Sequence, residues 1–381
     1  DMYREFGRDQ AYSVCESAYS YAVKLDDGLR CLMLNNNFRD IDSMHDASPT
    51  YSPECFRWIR ETVEQARSEG AYVFACTHHP LVPPVPAYKI GGTPRNMRSS
   101  YVCHTLADIG LELVFSGHTH FSNVAFGSSD FGNVICNVTT PSICFLPPEY
   151  RIAELDAGEK RLTLTTVPVQ KTSEMDFEEP TVREHLINEF ISDQREKLIS
   201  KPYGEKLLSL RVKHLYPLCR KAAGLNQAEY QSICEKPIFD IIMDAAVNMQ
   251  TGDGRYTPDT PICRFMLALC DVLDSVVRVQ PFYPIEKKLL GYSLRQIVEP
   301  MMYKNDVPDN DCSFVFNVMP DKKYDPPVYP SHAGEIVIAV LSAAAAMLSP
   351  LAPIASALAI PALTVLKRKK TKNNPYSPER Y

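Results

Sequence analysis

Short apolar runs alternate with segments of helical periodicity over the first 170 residues. Two of the apolar runs flank Asp26-Asp27-Gly28, a turn sequence, and predict a β-hairpin over residues 19–35. Ser52 and Pro53 indicate a helix start, because serine caps the first N–H groups and proline suits the first helical position. Apolar side chains then recur at helical spacing before Gly70, at Phe56, Ile59, Val63 and Ala66.

The alternation of helix and strand continues to about residue 170. A second helix is predicted over residues 99–109, and short buried strands are predicted at residues 71–76 and 111–115. Further strands are predicted at residues 134–138, 151–155 and 161–167. Such alternation is typical of the α/β class. Ligand sites of open α/β sheets lie where strands end, so the residues that directly follow these strands are the candidates for chemistry.

The pattern becomes helical after residue 178. Helices are predicted within residues 181–302, at 182–198, 205–222, 239–249 and 261–279. Residues 303–335 are polar and proline-rich, which predicts a linker. We therefore expect an α/β unit over residues 1–175 and a separate helical region of unknown role over residues 181–302.

The C-terminal part of the chain carries a membrane signal. Residues 336–366 contain no charged side chain and exceed the roughly 20 residues that a membrane-spanning helix needs. The apolar segment predicts a membrane-anchored protein. The basic tail over residues 367–381 is then expected to stay on the cytoplasmic side. The alternative is a cytoplasmic protein whose alanine-rich tail packs on the helical region.

Composition narrows the class of protein. Hydrophobic residues make up 45% of the chain and charged residues 23%, which indicates a globular protein with a core. The net charge of −6 argues against a nucleic-acid partner, but a bound metal ion could still supply the positive charge for phosphate chemistry. The twelve cysteines form no CxxC pair, so we expect buried free thiols and a reducing or anaerobic setting. Unless the setting is anaerobic, free thiols argue against a domain outside the cell.

Two histidine tetrads carry the candidate chemistry. Thr77-His78-His79-Pro80 and Gly117-His118-Thr119-His120 lie about forty residues apart, each directly after a predicted buried strand. Imidazole is a common ligand of Zn, Fe, Ni and Mn ions, and the His-x-His spacing can direct two rings toward neighbouring metal positions. The alternative is a set of hydrogen-bonded or surface histidines. A structural zinc site is less favoured, because no cysteine lies within either tetrad.

The two tetrads resemble the last two motifs of the calcineurin-like metallophosphoesterases, and the resemblance covers residues 1 to about 170. It implies an αββα sandwich, here incomplete, and hydrolysis of a phosphorylated small molecule or another phosphoester. It also implies a centre of two divalent metal ions, with Mn, Fe or Zn as the candidates. By this resemblance His78 and His118 would bind one metal, His120 would bind the other, and His79 would lie near the substrate phosphate.

The earlier motifs of that family are missing from the sequence. They are an Asp-x-His, a Gly-Asp-x-x-Asp whose last Asp bridges the metals, and a Gly-Asn-His, so no catalytic residue can be assigned. Without the bridging carboxylate the repulsion between two metal ions is not offset, and we expect negligible activity from the chain as numbered. The alternative function is a non-catalytic, membrane-attached interaction module derived from a phosphoesterase.

Overall fold

The computed structural model describes residues 7–36, 51–82, 99–172, 179–201, 203–253, 256–277, 293–304 and 307–320. The predicted membrane segment at residues 336–366 and the basic tail at residues 367–381 lie outside these ranges. The same is true of the larger part of the predicted linker at residues 303–335. Within the ranges, helices and strands alternate in the first half and helices follow in the second, which confirms the mixed α/β class.

A seven-stranded mixed sheet forms the centre of the first unit. Its strands lie in the order β1-β2-β3-β4-β5-β7-β6, and they comprise β1 (Ala11–Cys15), β2 (Ser20–Asp26), β3 (Leu29–Leu34), β4 (Tyr72–Thr77), β5 (Leu113–Ser116), β6 (Asn123–Ser128) and β7 (Val134–Thr139). The neighbours β3, β4, β5 and β7 run parallel, whereas β1, β2 and β6 pair antiparallel with their neighbours. The carboxyl ends of the parallel strands therefore meet at one edge of the sheet.

Helices α1 (Pro53–Ser68) and α2 (Ser99–Ile109) cover one face of this sheet. The N-terminus of α1 is capped as the sequence predicts, because the Ser52 side chain accepts a hydrogen bond from the Cys55 N–H at 3.1 Å. Ile59 and Val63 are fully buried against the sheet, in one apolar cluster with residues of α2. The helical periodicity of the sequence thus marks the buried face of α1.

A three-stranded antiparallel sheet faces the other side. Its order is β10-β9-β8, and its strands are β8 (Glu149–Asp156), β9 (Arg161–Pro168) and β10 (Cys312–Val315). Apolar side chains of both sheets share one cluster, which includes Phe126, Val138, Leu162, Leu164 and Phe314. One layer of helices and two facing sheets are therefore present in the described part of the chain.

Strand β10 lies inside the stretch for which the sequence predicts a linker. Phe314 pairs with Leu162 of β9, and both side chains are buried, whereas Ser313 between the apolar positions is exposed. This alternation over four residues is too short to stand out among the polar and proline residues around it. The structure therefore differs from the linker prediction at residues 312–315.

The second unit is helical and has its own apolar core. Its helices are α3 (Val182–Ile199), α4 (Gly204–Leu208), α5 (Val212–Ala223), α6 (Gln227–Ile233), α7 (Ile238–Thr251), α8 (Pro261–Val277) and α9 (Leu294–Met302). The single helix predicted over residues 205–222 is two helices, because Arg211 is extended and forms a β-bridge with Pro237. In the part of the chain that is described, no helix combines the length and apolar character needed to cross a membrane.

Candidate metal centre

The two histidine tetrads meet because the strands before them are parallel neighbours. Cys76 of β4 pairs with Phe115 of β5, so the chain leaves both strands at the same edge of the sheet. The Gly117 N–H then donates a hydrogen bond of 3.0 Å to the His78 carbonyl oxygen, which ties the two loops together. Sheet topology therefore brings together two segments that lie forty residues apart in the sequence.

The backbone of the second tetrad is strained. His118 has a φ of 64° and His120 a φ of 58°, both in the left-handed region. That region costs a side chain-bearing residue about 1–2 kcal/mol. Such conformations persist where the surrounding structure enforces them, and they concentrate at functional sites. The loop must therefore be held by contacts on both sides.

Three imidazoles converge at this edge. The Nδ1 atom of His118 lies 3.1 Å from the Nε2 atom of His78. The His79 ring centroid lies 4.1 Å from that of His118 and 4.8 Å from that of His78. One ring nitrogen from each residue can be chosen so that all three lie within 4.8 Å of one another. The donor set could therefore hold one metal ion, whose identity it does not fix.

Asn36 orients the ring of His79, and the sequence reasoning did not identify it. It is buried just beyond β3, and its Nδ2 group donates to the His79 carbonyl oxygen at 3.1 Å. Its Oδ1 atom lies 3.3 Å from both the backbone nitrogen and the Nδ1 atom of His79. Because an amide oxygen only accepts, Nδ1 of His79 carries the proton and Nε2 keeps its lone pair for a metal. The one signal in the sequence is that polar residues directly follow a buried strand.

Asn137 on β7 supports the first tetrad from the opposite side, and it too was missed. Its fully buried side chain accepts a hydrogen bond from the Leu81 N–H at 2.7 Å. Its Nδ2 group donates to the Ser116 hydroxyl at 2.8 Å and to the Thr139 hydroxyl at 3.2 Å. The amide thus fastens the chain just beyond His79 to strands β5 and β7.

His120 has a different environment from the other three histidines. Its ring stacks on Phe145, with the centroids 4.9 Å apart and the planes inclined by 13°. The group of three that could hold an ion contains His79 rather than His120. The structure thus brings together His78 and His118, which the resemblance assigns to one metal, and adds the residue assigned to the substrate. The role of His120 at a second metal stays a prediction.

Burial makes His79, His118 and His120 poor bases. Burial, with smaller contributions from His118 and His78, lowers the pKa of His79 to about 3. Burial also lowers the pKa of His118 and of His120, and neighbouring histidines add to both effects. These rings are therefore neutral at physiological pH, which is the form that binds a metal ion. Within the described ranges, the group of potential ligands consists of three histidines, and no carboxylate belongs to it.

The chain matches no protein-family model and no curated protein. Among solved structures it is similar to a dimetal phosphatase from Danio rerio, with 13% sequence identity and a TM-score of 0.30. The similarity covers 40% of this chain and 59% of that chain, so this chain spans about three fifths of that protein's length. A likeness of this size carries no argument about activity.

Proposed function

We propose that this chain carries the histidine part of a metal-dependent phosphoester hydrolase centre of the calcineurin-like type. The observation that supports the proposal is the convergence of His78, His79 and His118 from two strand-end loops, with ring nitrogens within 4.8 Å of one another. A metal ion bound there would supply Lewis-acid chemistry to a phosphoryl oxygen. The facing sheets with helices on one side would be an incomplete αββα sandwich.

The chain's own residues would divide the remaining work. His78 and His118 would bind the ion through ring nitrogens, and Asn36 would hold the His79 ring with its Nε2 lone pair available. His78 is exposed, so a phosphoester could reach the ion from the solvent side. His120 would serve a second divalent ion, with Mn, Fe or Zn as the candidates for both positions.

Turnover by this chain alone is expected to be negligible. Two ions a few ångströms apart repel each other, and the described part of the chain brings no carboxylate into the histidine group to offset that repulsion. A phosphate ion should nevertheless bind, because the exposed side of the group leaves a coordination position open. Phosphate binding and turnover therefore test separate parts of the proposal.

The test titrates inorganic phosphate into the chain before and after loading with Mn²⁺ or Zn²⁺, with His118→Ala as the variant. We expect phosphate binding that requires the metal and disappears in the variant. Metal binding without phosphate binding would refute the hydrolase proposal and favour the interaction module. Hydrolysis of bis(p-nitrophenyl) phosphate that is lost in His118→Ala would keep the class of enzyme but refute the predicted inactivity.

We also propose membrane attachment through residues 336–366, on the grounds of their length and lack of charge. The basic run Lys367-Arg368-Lys369-Lys370 would then lie on the cytoplasmic side. Cell fractionation of the full chain and of a chain without residues 336–381 tests this. We expect the full chain in the membrane fraction and the shortened chain in the soluble fraction. Recovery of both chains in the soluble fraction would favour a cytoplasmic protein, and recovery of both in the membrane fraction would refute attachment through residues 336–366.

A further inference from the structure

The helical unit contacts the chain directly after His120. Phe121 packs against an apolar cluster formed by Ala246 and Met249 of α7 and by Met301 of α9. The next residue, Ser122, donates its backbone N–H to the Gln250 carbonyl oxygen at 2.9 Å. The C-terminal turn of α7 thus contacts the loop that carries two of the candidate metal ligands.

Gly252, the residue after α7, permits this close approach. Its φ of 71° favours glycine, and an added Cβ atom would lie 3.0 Å from the Ser122 carbonyl oxygen and 2.8 Å from the Cβ atom of Asp309. Both distances are shorter than ordinary van der Waals contacts. A side chain at this position would therefore push the helical unit away from the segment after His120.

A network of hydrogen bonds through charged side chains also links the segment after His120 to the helical unit. The Ser122 hydroxyl donates to Oε2 of Glu149 at 3.2 Å, and Glu149 is only 1% exposed. The other Glu149 oxygen accepts from Nη1 of Arg183 on α3 at 2.9 Å. Nη2 of Arg183 donates to Asp253, just after α7, at 2.5 Å. One guanidinium thus joins the strand unit to two parts of the helical unit.

Asn310, which lies just before β10, adds hydrogen bonds between the helical unit and the three-stranded sheet. Its Nδ2 group donates to the Thr251 carbonyl oxygen at 2.5 Å and to Asp253 at 2.7 Å. Its Oδ1 atom accepts from Nη2 of Arg151 at 3.1 Å. Thr251 and Glu149 are each 1% exposed, and hydrogen bonds to buried groups are costly to leave unmade, so the network fixes the position of α7 relative to β8.

The strained loop needs such support. On its N-terminal side, the Gly117 N–H is fixed to the His78 carbonyl oxygen. On its C-terminal side, Phe121 and Ser122 are fixed by the helical unit. The left-handed backbone of His118 and His120 lies between these two anchors. Releasing one anchor would let the loop relax toward less strained backbone angles, and the rings would move with it.

We propose that the helical region positions the metal-binding loop through a clamp formed by Phe121, Ser122, Glu149, Arg183 and Asp253. Glu149 and Arg183 are positioning residues, since they act on His118 and His120 through Ser122. The proposal gives the helical region a role, and it rests on the proposed function only in naming the loop's ligand as a metal ion. The positioning of the loop does not depend on whether a metal ion binds to it.

The test compares Arg183→Ala with Arg264→Ala as the matched control. Arg264 also forms an ion pair of 2.8 Å, with Glu229, and its side chain is 31% exposed against 27% for Arg183. It joins α8 to α6 and makes no contact with the clamp in the described structure. We expect Arg183→Ala to weaken Co²⁺ binding, followed by visible absorption, by up to about tenfold. About tenfold is the lower limit of the loss when a ligand loses its direct hydrogen-bond partner, and Arg183 acts on the ligands only through Glu149 and Ser122. Arg264→Ala should bind Co²⁺ like the unmodified chain.

Two further measurements keep the result unambiguous. Arg183→Lys should give an intermediate affinity, because one ammonium replaces two separately directed N–H groups. Hydrogen exchange of the amides in residues 117–123, without metal, should accelerate in Arg183→Ala and not in Arg264→Ala. Equal behaviour of the two alanine variants in both measurements would overturn the clamp. If the unmodified chain binds no Co²⁺, the proposed function fails and hydrogen exchange alone decides the clamp.

Discussion

The Nδ1 atom of His118 lies 3.1 Å from the Nε2 atom of His78, although forty residues separate the two in the sequence. Two ring nitrogens at this distance need a proton or a cation between them, because two lone pairs would repel each other. The parallel pairing of β4 and β5 enforces the approach, and the backbone bond from Gly117 to His78 maintains it. A metal ion could replace the proton without a rearrangement of the backbone.

Removal of one of these rings should abolish tight metal binding. We expect His118→Ala to weaken Zn²⁺ binding by more than about 100-fold, since outer-shell changes alone cost 10–100-fold and this change removes a direct ligand. Isothermal titration calorimetry measures the effect. His104→Ala, on α2, is the control for loss of a histidine elsewhere and should keep the original affinity. An affinity in His118→Ala close to that of the control would contradict the metal centre.

The structure and the family resemblance make different predictions for His79 and His120. The geometry places His79 in the group with His78 and His118, whereas the His120 ring stacks on Phe145. We therefore expect His79→Ala to weaken binding of the first Zn²⁺ equivalent strongly and His120→Ala to leave it near the original value. The reverse order of the two affinities would support the assignment from the resemblance and count against the observed ring positions.

The amide of Asn137 should contribute to stability as well as to the site. In Asn137→Ala the buried N–H of Leu81 loses its acceptor, which should lower the free energy of unfolding by about 2 kcal/mol. Asn133→Ala removes an exposed amide that donates to Asp108 at 2.8 Å, and it should cost less than about 0.5 kcal/mol. Urea unfolding of both variants measures the difference. Equal losses would show that the Leu81 contact adds nothing.

Much of the first unit can be predicted from local signals. Ser52, Pro53 and the apolar spacing after them specify α1, and Gly110 follows the predicted end of α2. These features depend on neighbours within a few residues, so the sequence carries them directly. The same holds for the hairpin of β2 and β3, where Asp26 accepts from the Gly28 N–H across the turn.

Elements that depend on distant contacts could not be predicted in this way. Strand β6 begins at Asn123, and the carboxylate that accepts from Asn123 and from the Val124 N–H is Asp309, about 185 residues later. The break between α4 and α5 comes from the bridge of Arg211 to Pro237, which overrides a continuous helical pattern. Strand β10 pairs with β9, and the paired residues Thr163 and Ser313 lie 150 residues apart.

The candidate metal centre also has one part that the sequence predicts and another part that depends on distant contacts. Adjacent strand ends allow the sequence to predict that His78 and His118 meet, because only strand order is needed. The choice between His79 and His120 depends on side-chain contacts with Asn36 and Phe145, which belong to other loops. Neither contact has a signal in the spacing of the tetrads. The donor set therefore emerges only when the loops are seen together.

The ionisation of Glu149 in the clamp should make the free energy of unfolding depend on pH. Burial raises the pKa of Glu149, although Arg183 and the Ser122 hydroxyl favour the ionised form. A raised folded-state pKa means that the stability contributed by the group is present below the unfolded pKa and is lost as pH rises through the folded pKa. Relative to the unmodified chain, Glu149→Gln should therefore gain stability as the pH rises from about 4 to 7.

Glu235→Gln provides a control of opposite sign for that pH effect. The Lys213 ammonium, which lies 2.7 Å from the exposed carboxylate, lowers the pKa of Glu235, so its contribution is present at neutral pH and is lost on acidification. Urea unfolding of both variants at pH 4 and pH 7 measures the two slopes. If Glu149→Gln lost stability with rising pH, the Arg183 pair would outweigh burial. The clamp would then stabilise the fold at neutral pH, rather than hold the metal-binding loop in position at the expense of stability.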